Sequence, residues 1–462
     1  MPKNHKSFMT RGAEAPAIVL ARTILATQVA RDKVISTSVN NPVLRKTKDY
    51  WHMLGPGLTT GASDDDPSGI ATYSQTGAQF GYHYMWLAAW TFPLMAMVQE
   101  MCARIGMVTG RGLAHNIRVF YSRRILNVCT LLLFAANTFN IGADLGAMAK
   151  GLQLLNPRLN FAFLVVGFAL FSLLLQIFTP YVRYARYLKW LALILLSYIL
   201  SSILAHLNWS DVLRHSVVPH VSFTKDSVLL LCAILGTTIS PYLFFWQTSQ
   251  EVEEQILMGK TTVHLRRGFT DPAEIRSMRI DVWSGMFLSN VVMFFIIAAC
   301  GGILFPHGIT QITSAAQAAE ALRPFAGNAT YFLFAIGIIG TGLLAIPVLA
   351  GSSSYALSES FRWKEGLYRN LQQAYAFYGV IIISMLVGLG INFIGIDPIK
   401  ALIYAAVGNG LVAPVILFMI VAISSSKKVM GHWHNKPFVT AIGWLVFVLM
   451  SISGVAAIFT LF

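Results

Sequence analysis

An all-α integral membrane protein with eleven transmembrane helices is what the sequence predicts, and three observations carry the prediction. Of 462 residues, 55% are hydrophobic and only 12% charged, with a mean hydropathy of +0.61; a soluble domain has about a quarter of its residues charged. The apolar residues gather in eleven stretches, most of them near the roughly 20 residues a helix needs to cross a hydrocarbon layer of about 30 Å. The basic residues lie between those stretches and concentrate in every second connection. Cytoplasmic enzymes and secreted modules are excluded on these grounds.

The stretches run over 50–79, 82–107, 126–150, 160–179, 187–206, 226–256, 281–304, 329–357, 372–392, 398–422 and 438–460. Before the first, and around every second connection after it, lie 28 of the 34 lysines and arginines, at 1–49, 104–124, 183–189, 260–279, 362–369 and 427–436. The other connections hold only Lys150, Arg158, Arg214, Lys225, Arg323 and Lys400. This bias predicts a cytoplasmic N-terminus and, with an odd number of spans, Phe462 on the far side. The formal charge of +14 is then explained by topology, and a nucleic-acid partner drops out. Residues 1–49, in which Arg22 interrupts a weak apolar run from Ala15 to Ala30, read as a basic cytoplasmic tail lying partly on the membrane surface rather than as a signal peptide. Residues 50–462 read as one membrane domain. Cys102, Cys129, Cys232 and Cys300 stand singly in apolar sequence without metal-site spacing and read as small core residues.

Two spans are not ordinary helices. The first carries Gly61-Ala62-Ser63-Asp64-Asp65-Asp66-Pro67-Ser68-Gly69 at its middle. A carboxylate at membrane depth costs roughly 2.5–3.5 kcal/mol on insertion scales, and Pro and Gly interrupt the helical ladder, so the helix is expected to break there. Backbone freed at that depth needs a water-filled cavity or a ligand, and aspartates in such a cavity attract cations. The sixth span repeats the anomaly at Gly236-Thr237-Thr238-Ile239-Ser240-Pro241-Tyr242. The two breaks lie five spans apart. Interrupted segments at corresponding positions of two five-span halves point to an inverted-repeat transporter with a cation near the midplane. On that reading 50–206 is the first repeat, 226–422 the inverted second, and 438–460 an additional helix.

The motifs themselves resemble a known family. Asp66-Pro67-Ser68-Gly69-Ile70-Ala71-Thr72, Phe80-Gly81-Tyr82, the run Ala103-Arg104-Ile105-Gly106-Met107-Val108-Thr109-Gly110-Arg111-Gly112-Leu113-Ala114, the sixth-span motif above and Asp144-Leu145 resemble those of the natural resistance-associated macrophage protein (Nramp) family of divalent metal transporters. The resemblance implies the amino-acid-transporter-like fold, in which helices one and six of two inverted five-helix repeats are broken. It also implies a transporter rather than an enzyme, with no cofactor and with the transported cation as partner. Transition-metal members read DPGN in helix one and MPH in helix six, where this chain reads DPSG and SPY. Asp66 and Pro67 stay, but the metal-binding asparagine becomes Gly69, the methionine Ser240 and the neighbouring histidine Tyr242. Loss of the thioether removes the ligand that favours soft ions, and oxygen donors suit Mg2+ or Mn2+. The smaller side chains leave room for an ion that keeps its waters. This pattern resembles the subgroup of Nramp-related magnesium transporters. The family's second helix-six histidine aligns with Gln247, and the glutamate beyond its helix-three aspartate aligns with Ala147. Only Asp144 is left of the family's titratable groups there, which implies transport driven by the ion gradient and membrane potential without proton coupling.

Asp66, Asp65, Gly69, Thr237, Ser240 and Asn409, the one amide in the middle of span ten, are the expected metal-binding residues. Asp64, Ser68, Thr238, Tyr242, Gln247 and Asp144 are expected around them or along the pathway, with Pro67 and Pro241 making the breaks. Glu251, Glu253 and Glu254 read as a solvated helix end rather than a cation vestibule, and Gly337, Gly340 and Gly342 as helix-packing positions. The expected function is import of hydrated Mg2+ and Mn2+ by alternating access across the cell membrane, most simply a bacterial inner membrane. A proton-coupled Mn2+ or Fe2+ transporter of the ordinary family type is one rival. A sodium-coupled organic solute carrier is another, disfavoured because acidic residues at the first break repel a carboxylate substrate. An intramembrane aspartyl protease would pair Asp66 with Asp144, but no GxGD, HExxH or GxSxG accompanies them.

Overall fold

The computed structural model describes residues 50–461 except 52, 205–206, 221–223, 269 and 396–397; the predicted tail 1–49 lies outside the described residues. Both breaks form where the sequence places them, and they are built alike. Helix α1 (Pro56–Asp64) stops at Asp65, whose φ of −87° and ψ of 52° leave the helical region, and α2 (Pro67–Phe80) starts behind Asp66, which is extended (φ −67°, ψ 165°). A residue before proline is driven out of the α region, and proline is tolerated at the first helical position because its missing N–H has no partner there anyway. The second break repeats this further along the chain. Helix α3 (Trp86–Thr109), α4 (Leu113–Phe120), α5 (Arg123–Leu155), α6 (Phe161–Phe178), α7 (Tyr181–Leu191), α8 (Leu196–Leu204) and α9 (Trp209–Val217) lead to α10 (Lys225–Thr238). Ile239 and an extended Ser240 then interrupt the path before Pro241 opens α11 (Pro241–Leu257).

The chain continues through α12 (Val263–Gly268), α13 (Pro272–Ile303), α14 (Ala315–Phe361), α15 (Tyr375–Ile391), α16 (Pro398–Ser425) and α17 (Pro437–Leu461). Each of the eleven apolar stretches is thus a helix or a pair of helices, and no strand occurs among the described residues. Seven described helical segments are individually long and apolar enough to cross a bilayer, including α10–α11 taken together. The remaining predicted spans are the broken pair α1–α2, α3 with its buried Glu100 and Arg104, the 17-residue α15, and α16. Phe163, Leu170, Phe171, Leu174 and Phe178 of α6 are exposed, a continuous apolar surface that belongs against lipid. The two largest differences from the predicted boundaries are at the starts of α13 and α14. Helix α13 begins nine residues before 281, because Asp271 and Glu274 form a reciprocal capping box around Pro272. Helix α14 reaches back to Ala315, but Gly327 (φ 83°) kinks it close to the predicted start at 329.

Two packing groups surround the breaks. Helix α13 lies along α1, α2 and α3, and α11 also packs on α3; α5 packs on α14, α15 and α16. Glycines set the first group. A Cβ at Gly57 or Gly61 would overlap the backbone of Val282 or Gly285, and one at Gly77 would stand 2.6 Å from the Ile297 carbonyl oxygen and 2.7 Å from the Gly301 nitrogen. Gly337, Gly340 and Gly342 pack as expected, facing Tyr198, Ile194 and Met148. The start of α1 is held by Asp281 of α13, whose carboxylate accepts the N–H groups of Gly55 (2.7 Å), Gly57 (2.7 Å) and Leu58 (3.0 Å). Lys189 of α7 donates to the carbonyls of Leu54, at 2.6 Å, and Trp51.

Candidate metal site

The two breaks meet between the packing groups, and the polar groups they free line one cavity of about 250 Å3. Asp66 enters it as the N-cap of α2: its Oδ1 accepts the Gly69 N–H at 2.6 Å and the Ser68 hydroxyl at 2.7 Å. From the other break come Thr237, Ser240 and Tyr242. The Ser240 hydroxyl donates to the carbonyls of Gly236 and Thr237, both at 2.8 Å, which turns the chain at the end of α10. The Tyr242 hydroxyl donates to the Ser63 carbonyl at 3.0 Å and so ties the start of α11 to the last turn of α1. Asn409 of α16 completes the wall; it is buried and its Oδ1 has no partner.

Several predicted residues lie elsewhere. Asp64 and Asp65 are buried behind Asp66, where the Ser289 hydroxyl of α13 lies 2.9 Å from Asp64 Oδ2 and 3.4 Å from Asp65 Oδ1. Neither lines the cavity; Asp64 Oδ1 and Asp65 Oδ2 are buried without partners. The backbone turns them away: Asp64 is the last residue of α1, Asp65 has left the helical region (φ −87°, ψ 52°), and only Asp66 is extended. Gly69 is also outside the lining, its N–H spent on the Asp66 cap; a Cβ there would stand 3.3 Å from Asp66 Oδ1. Thr238 faces back into its helix, donating to the Ile234 carbonyl at 2.9 Å. Gln247 donates to Glu251 Oε1 at 2.8 Å, away from the cavity. Glu251 and Glu253 are not solvated: both are buried, and Glu253 accepts from the Tyr355 hydroxyl (2.6 Å) and the Leu367 N–H (2.7 Å).

Asp144 of α5 lines a second cavity, of about 700 Å3, together with Pro67, and both its oxygens are without partners. The two cavities share Ser68, Ala71 and Thr313. Among the polar lining residues of the first cavity, Thr72, Gln75, Asn140 and Thr313 escaped prediction. Ser68, Ala71, Thr72 and Gln75 fall at i, i+3, i+4 and i+7 of α2, the signature of one helix face, and that periodicity could have found them. Asn140 carries the same signal as Asn409, an amide in the middle of an apolar span.

The described lining offers one carboxylate, hydroxyls and amides, with no sulfur and no imidazole. No three His, Cys, Asp or Glu side chains among the described residues are gathered as a metal cage. The chemistry that fits is that of a hard cation held by few protein oxygens and its own water. The cavity follows α2 from Asp66 to Gln75 and reaches Ile312 and Thr313, ahead of α14. A hydrogen-bonded network lies away from this cavity. There Glu359 accepts the His115 N–H at 2.9 Å and the Ser249 hydroxyl at 3.1 Å, Arg118 donates to the Glu359 carbonyl at 2.6 Å, and Arg266 donates to the Gly110 carbonyl at 2.9 Å.

Known proteins share this arrangement. The chain is 24% identical over 449 residues to the divalent metal cation transporter MntH of Clostridium acetobutylicum, covering 94% of this chain and 96% of that one. It is 25% identical over 408 residues to MntH of Caldanaerobacter subterraneus, covering 86% and 90%. A manganese transporter of Eremococcus coleocola superposes with a TM-score of 0.66 at 20% identity, covering 90% of this chain and 87% of that one. A nucleobase-cation-symport-1 family transporter in a closed conformation has the same fold at a TM-score of 0.54, with 15% identity and coverages of 87% and 90%. A profile of the natural resistance-associated macrophage protein-like family matches residues 57–460, almost the whole described chain, and with the two breaks and their shared cavity in view, the chain belongs to the Nramp family of membrane transporters.

Proposed function

We propose that this protein imports hydrated divalent cations, Mg2+ foremost and Mn2+ as well, by alternating access around the two breaks and without proton coupling. The observation that carries the reading is the lining around Asp66, whose side chains offer oxygen donors and neither sulfur nor imidazole; by the motif resemblance, Ser240 and Tyr242 replace the soft and imidazole donors of transition-metal members. The relatives named divalent metal cation transporters, and the manganese transporter of the same fold, support divalent cations as the substrate class. With the N-terminus in the cytoplasm of a bacterial cell, the open cavity faces outward and the network around Glu359 closes the inner side. A cation entering it meets Asp66 first among carboxylates, with Asp64 and Asp65 buried behind it.

Proton-coupled Mn2+ transport is the second reading, and one observation favours it: Asp144 is a buried, unpartnered carboxylate in a cavity that adjoins the site. Flux into proteoliposomes decides between them, comparing Mg2+, Mn2+ and Ca2+ with an internal pH dye, for the intact chain and for Asp66→Ala. Mg2+ entry without acidification, abolished in the variant, is the expected result. Mn2+ entry with protons and exclusion of Mg2+ would establish the second reading instead. If no divalent ion enters under a negative-inside potential, the organic solute carrier takes their place.

A further inference from the structure

Away from the candidate site, basic side chains collect where α4 meets the end of α14. His115 lies among them: its Nδ1 is 3.1 Å from a guanidinium nitrogen of Arg118, and its Nε2 contacts Arg111. A neutral imidazole accepts at one ring nitrogen and donates at the other, so this ring cannot satisfy both guanidinium donors. Burial and the charges of Arg111, Arg118 and Arg362 hold the same imidazole down at about 4, which keeps it neutral at ordinary pH. Arg362 and Arg123, at the start of α5, also act on Arg118, against the carboxylates of Glu359 and Glu365. Of these two carboxylates, Glu359 already accepts from His115 and Ser249. The ion pairs among the described residues engage Arg104, Lys260 and Arg279, and none of these four arginines. The cluster is short of acceptors.

Two further observations say what kind of acceptor fits. Arg362 caps α14 in the left-handed region (φ 62°, ψ 34°), and it is the one non-glycine residue with a positive φ among the described residues. Glycine is the usual residue at such a cap, and a costly backbone kept for a long cationic side chain points to a function for that side chain. Its chain neighbours Phe361 and Trp363 are exposed, with ring centroids stacked 5.2 Å apart, and Val119, Phe120, Ile125 and Val128 of α4 and α5 are exposed as well. Exposed aromatic rings beside basic residues belong at the level of lipid headgroups.

We infer that Arg111, Arg118, Arg123 and Arg362 hold the phosphate of an anionic phospholipid, whose chains run over the exposed apolar side chains of α4 and α5. Guanidinium groups pair with phosphate through parallel hydrogen bonds, and basic pockets between membrane helices bind anionic headgroups. The phosphate supplies the acceptors that His115 cannot. A lipid held in this way ties α4, α5 and the cap of α14 together beside the Glu359 network. The inference does not rest on which ion is transported.

The test uses the full chain in detergent, titrated with phosphatidylglycerol or with phosphatidylcholine of the same acyl chains and read by native mass spectrometry. One phosphatidylglycerol per chain is expected to be retained at least about tenfold more tightly than phosphatidylcholine. Arg111→Gln with Arg362→Gly removes two of the charges, and the glycine eases the backbone at the α14 cap, so that a loss of binding is not a loss of fold. Each basic residue near an anionic surface is worth about a fivefold change in affinity, and the double variant is expected to bind phosphatidylglycerol at least about tenfold more weakly. Lys427→Gln with Lys428→Gln removes two exposed charges from the link between α16 and α17 and is expected to change affinity by less than about twofold, since salt screens distant charges. Equal retention of the two lipids, unchanged phosphatidylglycerol affinity in the arginine variant, or the same loss in the lysine variant overturns the inference. If millimolar inorganic phosphate raises the melting temperature as far as phosphatidylglycerol does, and loses that effect in the arginine variant, the occupant is a soluble phosphate and the lipid assignment is overturned.

Discussion

Asp66 holds two jobs in one carboxylate, capping α2 and facing the cavity, and the two can be separated. Asparagine caps a helix about as well as aspartate, so Asp66→Asn is expected to leave thermal stability in detergent nearly unchanged while divalent flux falls by more than about tenfold. A large drop in melting temperature would mean that the carboxylate is chiefly structural. Ser240→Met restores a thioether at the second break and is expected to raise Mn2+ uptake relative to Mg2+ in a competition flux assay, following ligand softness. At this scale the sequence was legible for Asp66, Pro67, Ser240, Pro241 and Asn409, which stood out as misfits in apolar sequence, but Asp64 and Asp65, just as costly at that depth, do not line the cavity. It was not legible for Asp65, Gly69, Thr238 and Gln247, because membership of a motif does not say which way a side chain leaves the backbone. At the break Asp65 and Asp66 are neighbours, yet only the extended Asp66 brings its carboxylate into the cavity.

Between elements, contacts of backbone on backbone leave no slack. Gly285→Ala would drive a Cβ into Gly57 and Leu58, and the cost is expected to reach at least the 1–3 kcal/mol typical of overpacking, read as a lowered melting temperature with Asp66 untouched. Helix α4 carries a pH dependence of its own. Burial, with Arg111, Arg118 and Arg362 nearby, holds the His115 imidazole down at about 4. The unfolded chain takes up that proton near 6.5, so stability from this group is complete above 6.5 and is lost as the pH falls toward 4. Melting curves between pH 7 and 4.5 are expected to show the loss, and His115→Gln to flatten it. Helix positions were readable from hydropathy to within a few residues. The early start of α13 was not read from it, since the capping box at Asp271 and Glu274 extends the helix through polar sequence that hydropathy leaves out.

For the molecule as a whole, the proposed transport without protons would tie accumulation to voltage alone. A divalent ion gains about 4.6 kcal/mol at 100 mV, so vesicles held at −100 mV are expected to accumulate Mg2+ on the order of 2,000-fold at equilibrium, whether or not a pH gradient is imposed. Accumulation that follows the pH gradient would reinstate the proton-coupled reading. The division into two packing groups was not visible in the sequence, since it depends on which helices meet and not on where they begin. It nevertheless decides how the site can open. Helix α13 grips both halves of the first broken helix, α1 through Asp281, Gly57, Gly61 and Gly285 and α2 through Gly77 and Gly301. It is a splint laid across the fracture. The gap at Asp66 is therefore an opening in the hydrogen-bond ladder bridged on one side by α13, whose contacts reach both pieces. On the transport reading proposed above, that bridged part is the one expected to move against α5, with the same glycine contacts keeping the break itself stiff.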